Sequence, residues 1–204
     1  MFAKAREKAR QSSCSSNVKQ MALGMLQYAQ DYDETFPPSG NGSQTTPVIP
    51  GDTIFNNNAG TYYHSWASLI YPYIKNTQIY RCPSSSYNNY GVAYGLPYNC
   101  VNSAGTLVGL FVNNTTGPRL GQMLAPAQTM MISEKGGGGG YQYIMNGQYY
   151  ACRADHNEGI NLGYFDGHVK WLKASVSDMG APWPARNSDA YGVHPPREVL
   201  DGAM

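Results

Sequence analysis

The sequence predicts an α+β fold, one long N-terminal helix packed on an antiparallel β-sheet with long loops. Three observations predict it. Apolar residues recur at Val18, Met21, Ala22, Met25, Ala29 and Tyr32, a helical stripe that needs a surface to lie on. Two strand-like runs, Ile160 to Phe165 and His168 to Leu172, flank Asp166-Gly167, the pairing expected of a type I′ hairpin with positive φ at both turn residues. The rest of the chain, with 23 Gly and 13 Pro in 204 residues, breaks into short runs joined by tight turns, which suits antiparallel pairing.

The helix is expected over residues 1–36, with residues 37–204 forming a loop-rich β domain packed on it, a single structural unit. It should stop before Pro37-Pro38, because proline disfavours helical backbone in its predecessor and lacks an N–H. Its charges run against the macrodipole. Lys4, Arg6, Lys8 and Arg10 come first and Asp31, Asp33 and Glu34 last, whereas acids are favoured at the start and bases at the end. No Ser, Thr, Asp or Asn precedes Phe2-Ala3 as a cap. A helix that opens uncapped and inverted reads as the continuation of one begun upstream, with Met1 replacing an earlier segment.

From Pro37 to Gly60 the composition turns to Pro, Gly, Ser, Thr and Asn, a long loop with one short strand near Val48-Ile49. His64 to Ile74 carries Trp66, Leu69, Ile70, Tyr73 and Ile74 at helical spacing, a short helix closed by Tyr80-Arg81-Cys82-Pro83. Residues 84–105 read as loop. Leu107 to Val112 and Gln128 to Ser133 read as strands, with a turn at Asn113 to Gly117. Gly136 to Gly140 form a glycine loop, and the tail after Ser175 wraps the surface.

Composition excludes several classes. Fourteen basic and 13 acidic residues leave a net charge of +1, without the basic face a nucleic-acid binder needs. A hydrophobic content of 42% is too high for a disordered chain. The longest apolar run, Leu107 to Val112, falls far short of the ~20 residues of a membrane span. The total conceals an asymmetry: within residues 1–20, Lys4, Arg6, Lys8, Arg10 and Lys19 face only Glu7, so that segment carries +4 and the remainder −3.

Several segments together resemble the bacterial pseudopilin-like proteins. Phe2 to Arg10 followed by Cys14, Asn17, Lys19-Gln20 and Tyr28-Ala29-Gln30-Asp31-Tyr32 is similar to the segment after their membrane helix. Pro72-Tyr73 with Cys82-Pro83-Ser84 resembles a central landmark, and Leu124 to Glu134 a later strand. His156, followed after nine residues by Asp166-Gly167 and then His168-Val169, matches the H-x(9)-D-G class of prepilin-processed proteins. The resemblance implies a pilin-like fold and the part of such a subunit that follows its leader and apolar half-helix. It implies an exported protein of the cell envelope, anchored by its N-terminal helix before assembly. Such a subunit polymerises when those helices bundle, contacting other pilin-like subunits or secretion machinery. Without that segment the chain is expected to be mainly monomeric.

An exported protein with four cysteines, Cys14, Cys82, Cys100 and Cys152, suits disulfides. Cys82–Cys100 is the preferred pair because it closes the shortest loop; four buried free thiols are the alternative. Without C-x-x-C spacing, zinc and thioredoxin-like readings are poor. Asp155, Asn157, Asn161 and Asp166 fall at positions 1, 3, 7 and 12 of a calcium-loop count, but Ile160 occupies the position needing glycine and no flanking helices are expected. A plain calcium site of these loop oxygens stays open. The preferred structural reading has Asp166 forming the turn and His156 bonding nearby backbone to pin the hairpin.

An enzyme is not expected. No G-x-S-x-G or H-E-x-x-H motif accompanies His156 and His168, so a metal-dependent hydrolase there is only a foil. The five glycines are followed by Tyr141 rather than G-K-[ST], which removes a phosphate loop and leaves no organic cofactor implied. The expected function is that of a structural subunit of a filament or secretion pseudopilus. The alternative is an exported glycan- or surface-ligand-binding module using the Tyr-rich segments 84–100 and 141–150.

Overall fold

The computed structural model describes residues 2–44, 62–85, 92–97, 99–101, 107–111, 116–123, 125–134, 143–144 and 154–173. Helix α1 (Phe2–Asp31) spans 30 residues, about 45 Å at ~1.5 Å per residue. It has no acid in its first turn and no base in its last, as its sequence requires. The predicted stripe is buried from Val18 to Ala29, but it begins earlier, at Gln11 and Cys14. It also ends earlier, since Tyr32 is 54% exposed and stacks on Tyr28 with ring centroids 4.1 Å apart. The helix stops short of the prolines. Asp33 and Glu34 take positive φ, 49° and 58°, and the Glu34 N–H donates back to Ala29 O at 2.8 Å, a left-handed cap that satisfies a terminal carbonyl. Phe36 is then free to insert fully into the core.

Strand β1 (Gly40–Gln44) pairs antiparallel with β2 (Tyr62–Ser65). The single helix expected from His64 is instead the end of β2 followed by two short helices, α2 (Trp66–Leu69) and α3 (Tyr71–Ile74). A 3-10 turn over Gln78–Tyr80 leads to Cys82. Two strands, β3 (Tyr94–Pro97) and β4 (Asn99–Val101), lie in the segment expected to be loop, and β4 pairs antiparallel with β5 (Leu107–Gly109). Strands β6 (Met130–Glu134), β7 (Tyr143–Ile144), β8 (Gly159–Tyr164) and β9 (Val169–Lys173) complete the set. The main sheet has the order β7-β3-β6-β8-β9. Its β3–β6, β6–β8 and β8–β9 pairs are antiparallel, and β7 joins the edge in parallel. The expected strand at Val48-Ile49, residues 113–115, the glycine run and the tail after Ser175 lie outside the described residues.

The α+β architecture is therefore as predicted, and the helix lies across the sheet. Every residue of β6 and β8 is buried, and the helix covers one face of these central strands. Where α1 crosses β8 the two backbones come close: a Cβ on Gly163 would stand 2.7 Å from Ile132 Cγ2 and 2.9 Å from Val18 Cγ1. Glycine at this position sets the helix-to-sheet distance.

The type I′ geometry expected at one end of β8 appears at the other. At Asp166-Gly167 only Gly167 has positive φ, 86°. The Gly167 N–H donates to Tyr164 O at 2.8 Å and the Tyr164 N–H to His168 O at 3.0 Å, so the loop has three residues, Phe165 to Gly167, a turn closed by a left-handed glycine. The extra residue is Phe165, wholly buried with its ring edge-on to Phe36 at 4.8 Å; burying it displaces the type I′ geometry. That geometry appears instead at Asn157-Glu158, with φ of 53° and 61° and reciprocal backbone bonds between His156 and Gly159 at 3.2 and 3.0 Å.

Two stability changes follow. Gly163→Ala should cost about 1–3 kcal/mol by overpacking, read as a lower urea midpoint with unchanged slope. Glu158→Gly should stabilise by about 0.5–1 kcal/mol: it relieves a left-handed residue worth ~1–2 kcal/mol, partly offset by glycine's unfolded-state entropy. The ion pair it removes, to Lys173 at 3.5 Å, is exposed and contributes little.

Candidate functional site

The register of the sheet places a row of side chains beneath the first turns of α1. Tyr94 pairs with Glu134, Ser133 with Leu162, which sets Glu134 beside Asn161, and Asn161 with Trp171. Glu134, at 1% exposure, is a carboxylate in the middle of the sheet. Asn161 binds both its oxygens, the backbone N–H donating to Oε2 at 2.7 Å and Nδ2 to Oε1 at 2.6 Å. Asn161 Nδ2 also reaches Gln11 O at 3.4 Å, while its buried Oδ1 has no hydrogen-bond partner among the described residues.

His156 is carried to this row by the Asn157-Glu158 turn and is fully buried. Its backbone oxygen accepts from Trp171 Nε1 at 3.1 Å. Its ring does not bond nearby backbone as expected. Nδ1 lies 2.7 Å from Glu7 Oε1 of α1, and Nε2 lies 3.2 Å from Glu134 Oε1 and 3.3 Å from Cys82 Sγ. Glu7 is held from the other side by Ser84 Oγ, 2.9 and 3.0 Å from its two oxygens. Cys82 opens a reverse turn with Pro83 at the second position, closed by the Ser85 N–H on Cys82 O at 3.2 Å, where proline's fixed φ is suited.

The neighbour of Cys82 is Cys14, with the sulfurs 2.7 Å apart and both buried as free thiols. The sulfur beside Cys82 is thus that of Cys14, where the sequence preferred Cys100 as its partner. Short sequence separation lowers loop-closure entropy, but the helix crossing the sheet decides which thiols meet, and it brings in Cys14 from 68 residues away. Cys100 contributes backbone to β4; its side chain and all of Cys152 lie outside the described residues. The ligand atoms of Cys14, Cys82, Glu134 and His156 all lie within 4.8 Å of one another.

The calcium candidates do not converge. Asn157 is exposed on its turn, with Nδ2 3.4 Å from Gln11 Oε1, and Asn161 is bound to Glu134. Asp166 sits beyond the other end of β8, where Oδ1 accepts from His168 N–H at 3.0 Å and meets His168 Nδ1 at 2.6 Å. Between Asn161 and the turn run three strand residues, about 10 Å at ~3.3 Å each. Asp155 is half-buried ahead of His156. A strand separates what the calcium count assumed to be one loop. Asp166 does make the turn, and Gly167 O accepts from Lys19 Nζ of α1 at 2.7 Å.

Electrostatics tie the cluster together. The thiol of Cys14 donating to Cys82, helped by His156 and the Ser84 N–H and opposed by burial, lowers Cys82 from 9.0 to about 5. Cys14 moves strongly upward through that same bond and through burial. Burial works against a charged His156, but Cys82, Glu134 and Glu7 outweigh it and raise it from 6.5 to about 11. Glu134 is raised by burial, with His156 and Asn161 pulling the other way. Without an ion these shifts favour negative charge on Cys82 and positive charge on His156.

Comparison with known proteins adds one match. A family profile described as "Protein of unknown function (DUF1559)" covers residues 3–82. That span runs from the start of α1 to Cys82, and so includes Glu7, Cys14 and Cys82 of the cluster. No curated protein and no solved structure matches the chain.

The pair carries a defined pH signature in the reduced, metal-free protein. His156, raised, adds stability that is complete below pH 6.5 and is lost as pH climbs through about 11. Cys82, lowered, adds stability complete above pH 9.0 and lost as pH falls through about 5. Between 6.5 and 9.0 the folded and unfolded chains hold equal protons on these two groups, so their contribution is flat there and declines on both sides. Urea titrations across pH, compared with a Cys82→Ser/His156→Gln double variant, should show that plateau in the stability difference.

Proposed function

We propose that this chain is the globular part of a pilin-like structural subunit that assembles into a filament or secretion pseudopilus through a helix continuing upstream of Met1. The observation that carries this reading is the projection of α1. Its stripe is buried from Gln11 onward, yet residues 2–6 are all exposed and Phe2 is 89% exposed. Those turns add bases and an aromatic ring without packing on the sheet, as a helix would where it leaves its own domain to join a bundle. The order of Cys82-Pro83, the Glu134 strand and the His156…Asp166-Gly167 hairpin supports the same reading, as does the family match over the helix. In this view the protein is exported, sits in the cell envelope, and has no catalytic task. The Cys–His cluster is sealed beneath the helix, all four side chains buried, and serves the fold.

The test has two parts. The codons upstream of Met1 should encode a short basic leader, a cleavage site and ~20 apolar residues, and immunogold electron microscopy with antibody to this domain should decorate envelope filaments. A gene that starts at Met1, with labelling confined to the cytoplasm, would overturn the proposal. Binding of this domain to a glycan array, with filaments unlabelled, would favour the ligand-binding alternative.

A further inference from the structure

The structure assigns Cys14, Cys82, Glu134 and His156 as ligands of one divalent transition-metal ion of the zinc class, held between helix α1 and the sheet. The inference stands apart from the filament reading, since it concerns how the domain is held together. Four observations support it. The donor atoms come from four separate segments, namely α1, the Pro83 turn, β6 and the turn before β8, and gather within 4.8 Å of one another with all four residues buried. Two sulfurs, one imidazole nitrogen and one carboxylate oxygen are the donor types of a closed tetrahedral zinc site.

The outer partners are also those of a metal site. His156 turns Nε2 toward Cys82 and Glu134, and its Nδ1 meets Glu7 Oε1 at 2.7 Å. A carboxylate on Nδ1 fixes the tautomer that leaves the Nε2 lone pair facing the other donors, the carboxylate–histidine–metal arrangement. Glu134 is held in turn by Asn161 through both oxygens, as a ligating carboxylate is. A Cys14–Cys82 disulfide would use the two sulfurs but neither the imidazole nor the buried carboxylate. A dication uses all four groups, and takes the place of the second imidazole proton as the positive charge among them. C-x-x-C spacing is not needed when the helix itself brings the first cysteine to the second.

The experiment uses the whole chain, reduced, anaerobic and stripped of metal with a chelator, then titrated with Co2+ as a spectroscopic probe and with Zn2+. Expected are thiolate-to-cobalt charge transfer in the near ultraviolet and intense tetrahedral d–d bands, both saturating at one equivalent and abolished by Zn2+, with the melting temperature rising as Zn2+ is added. Cys82→Ser should lose part of the charge-transfer intensity. Glu7→Gln, whose side chain is outside the ligand set, should keep the tetrahedral spectrum and bind about 10–100-fold more weakly. If His156→Ala does not fold, these two variants and the wild-type titration still decide the matter. A weak octahedral spectrum without charge transfer in the wild type would overturn the assignment. So would protein isolated under non-reducing conditions that contains a Cys14–Cys82 cystine and no bound metal, and that after reduction gains no stability from Zn2+.

Discussion

Glu134 is an ionisable group in the central strand of the sheet, facing the helix and shut away from water. Desolvating a carboxylate costs several kcal/mol unless hydrogen bonds and opposite charge answer it. The answer here comes from two directions, Asn161 on the neighbouring strand and His156 from the turn before it. His156 in turn depends on Glu7, and Asn161 on the Gln11 carbonyl. Register, turn geometry and helix position therefore have to agree around one buried side chain, and a shift of one residue in β6 would turn Glu134 to the opposite face.

The helix–sheet contact consequently has two parts of different character. From Val18 to Ala29 it is an apolar stripe, non-directional and tolerant of small slides, with Gly163 fixing only the separation. From Glu7 to Cys14 it is polar, and each contact has a direction and a named partner. Apolar burial supplies most of the driving force; the polar end supplies the register along the helix axis. Lys19 on the Gly167 carbonyl adds a further directional contact at the remote hairpin.

Most of the fold could be read from residue spacing because helical and strand periods leave a pattern in one dimension. The long helix, its stripe from Val18 to Ala29, the β6 run and the hairpin at Asp166-Gly167 all did. What was missed depended on tertiary choice. Tyr94 to Val101 reads as loop because its Gly, Pro and Asn disfavour strands, and the pairing of β3 with β6 and of β4 with β5 overrides that preference. The type I′ turn is absent at Asp166-Gly167 because Phe165 is apolar enough to be drawn into the core, while at the other end of β8 Glu158 is held at positive φ. The cluster was half visible. His156 stood out by its motif and Cys82 by its landmark, but Glu134 looked like the polar end of a strand. Cys14 reads from the sequence only as a disulfide candidate. Continuing the helical stripe backward through Cys14, Gln11 and Glu7, at steps of three and four, would have pointed all three at the sheet and toward the histidine.

The same arrangement bears on mechanics. A helix of about 45 Å packed on the sheet from Glu7 to Ala29 acts as a rod, and a pull at Phe2 along the axis would shear these contacts together. Nearest the pulled end lie the contacts of Glu7 with His156 and Ser84, then those of Cys14, and beyond them the apolar stripe. Hydrogen bonds and sulfur contacts of fixed direction resist sliding, whereas an oily stripe yields to it by small steps. The polar end of the interface is thus placed where shear would enter the domain, which makes it the part that would keep the globular body from slipping along its own helix under tension.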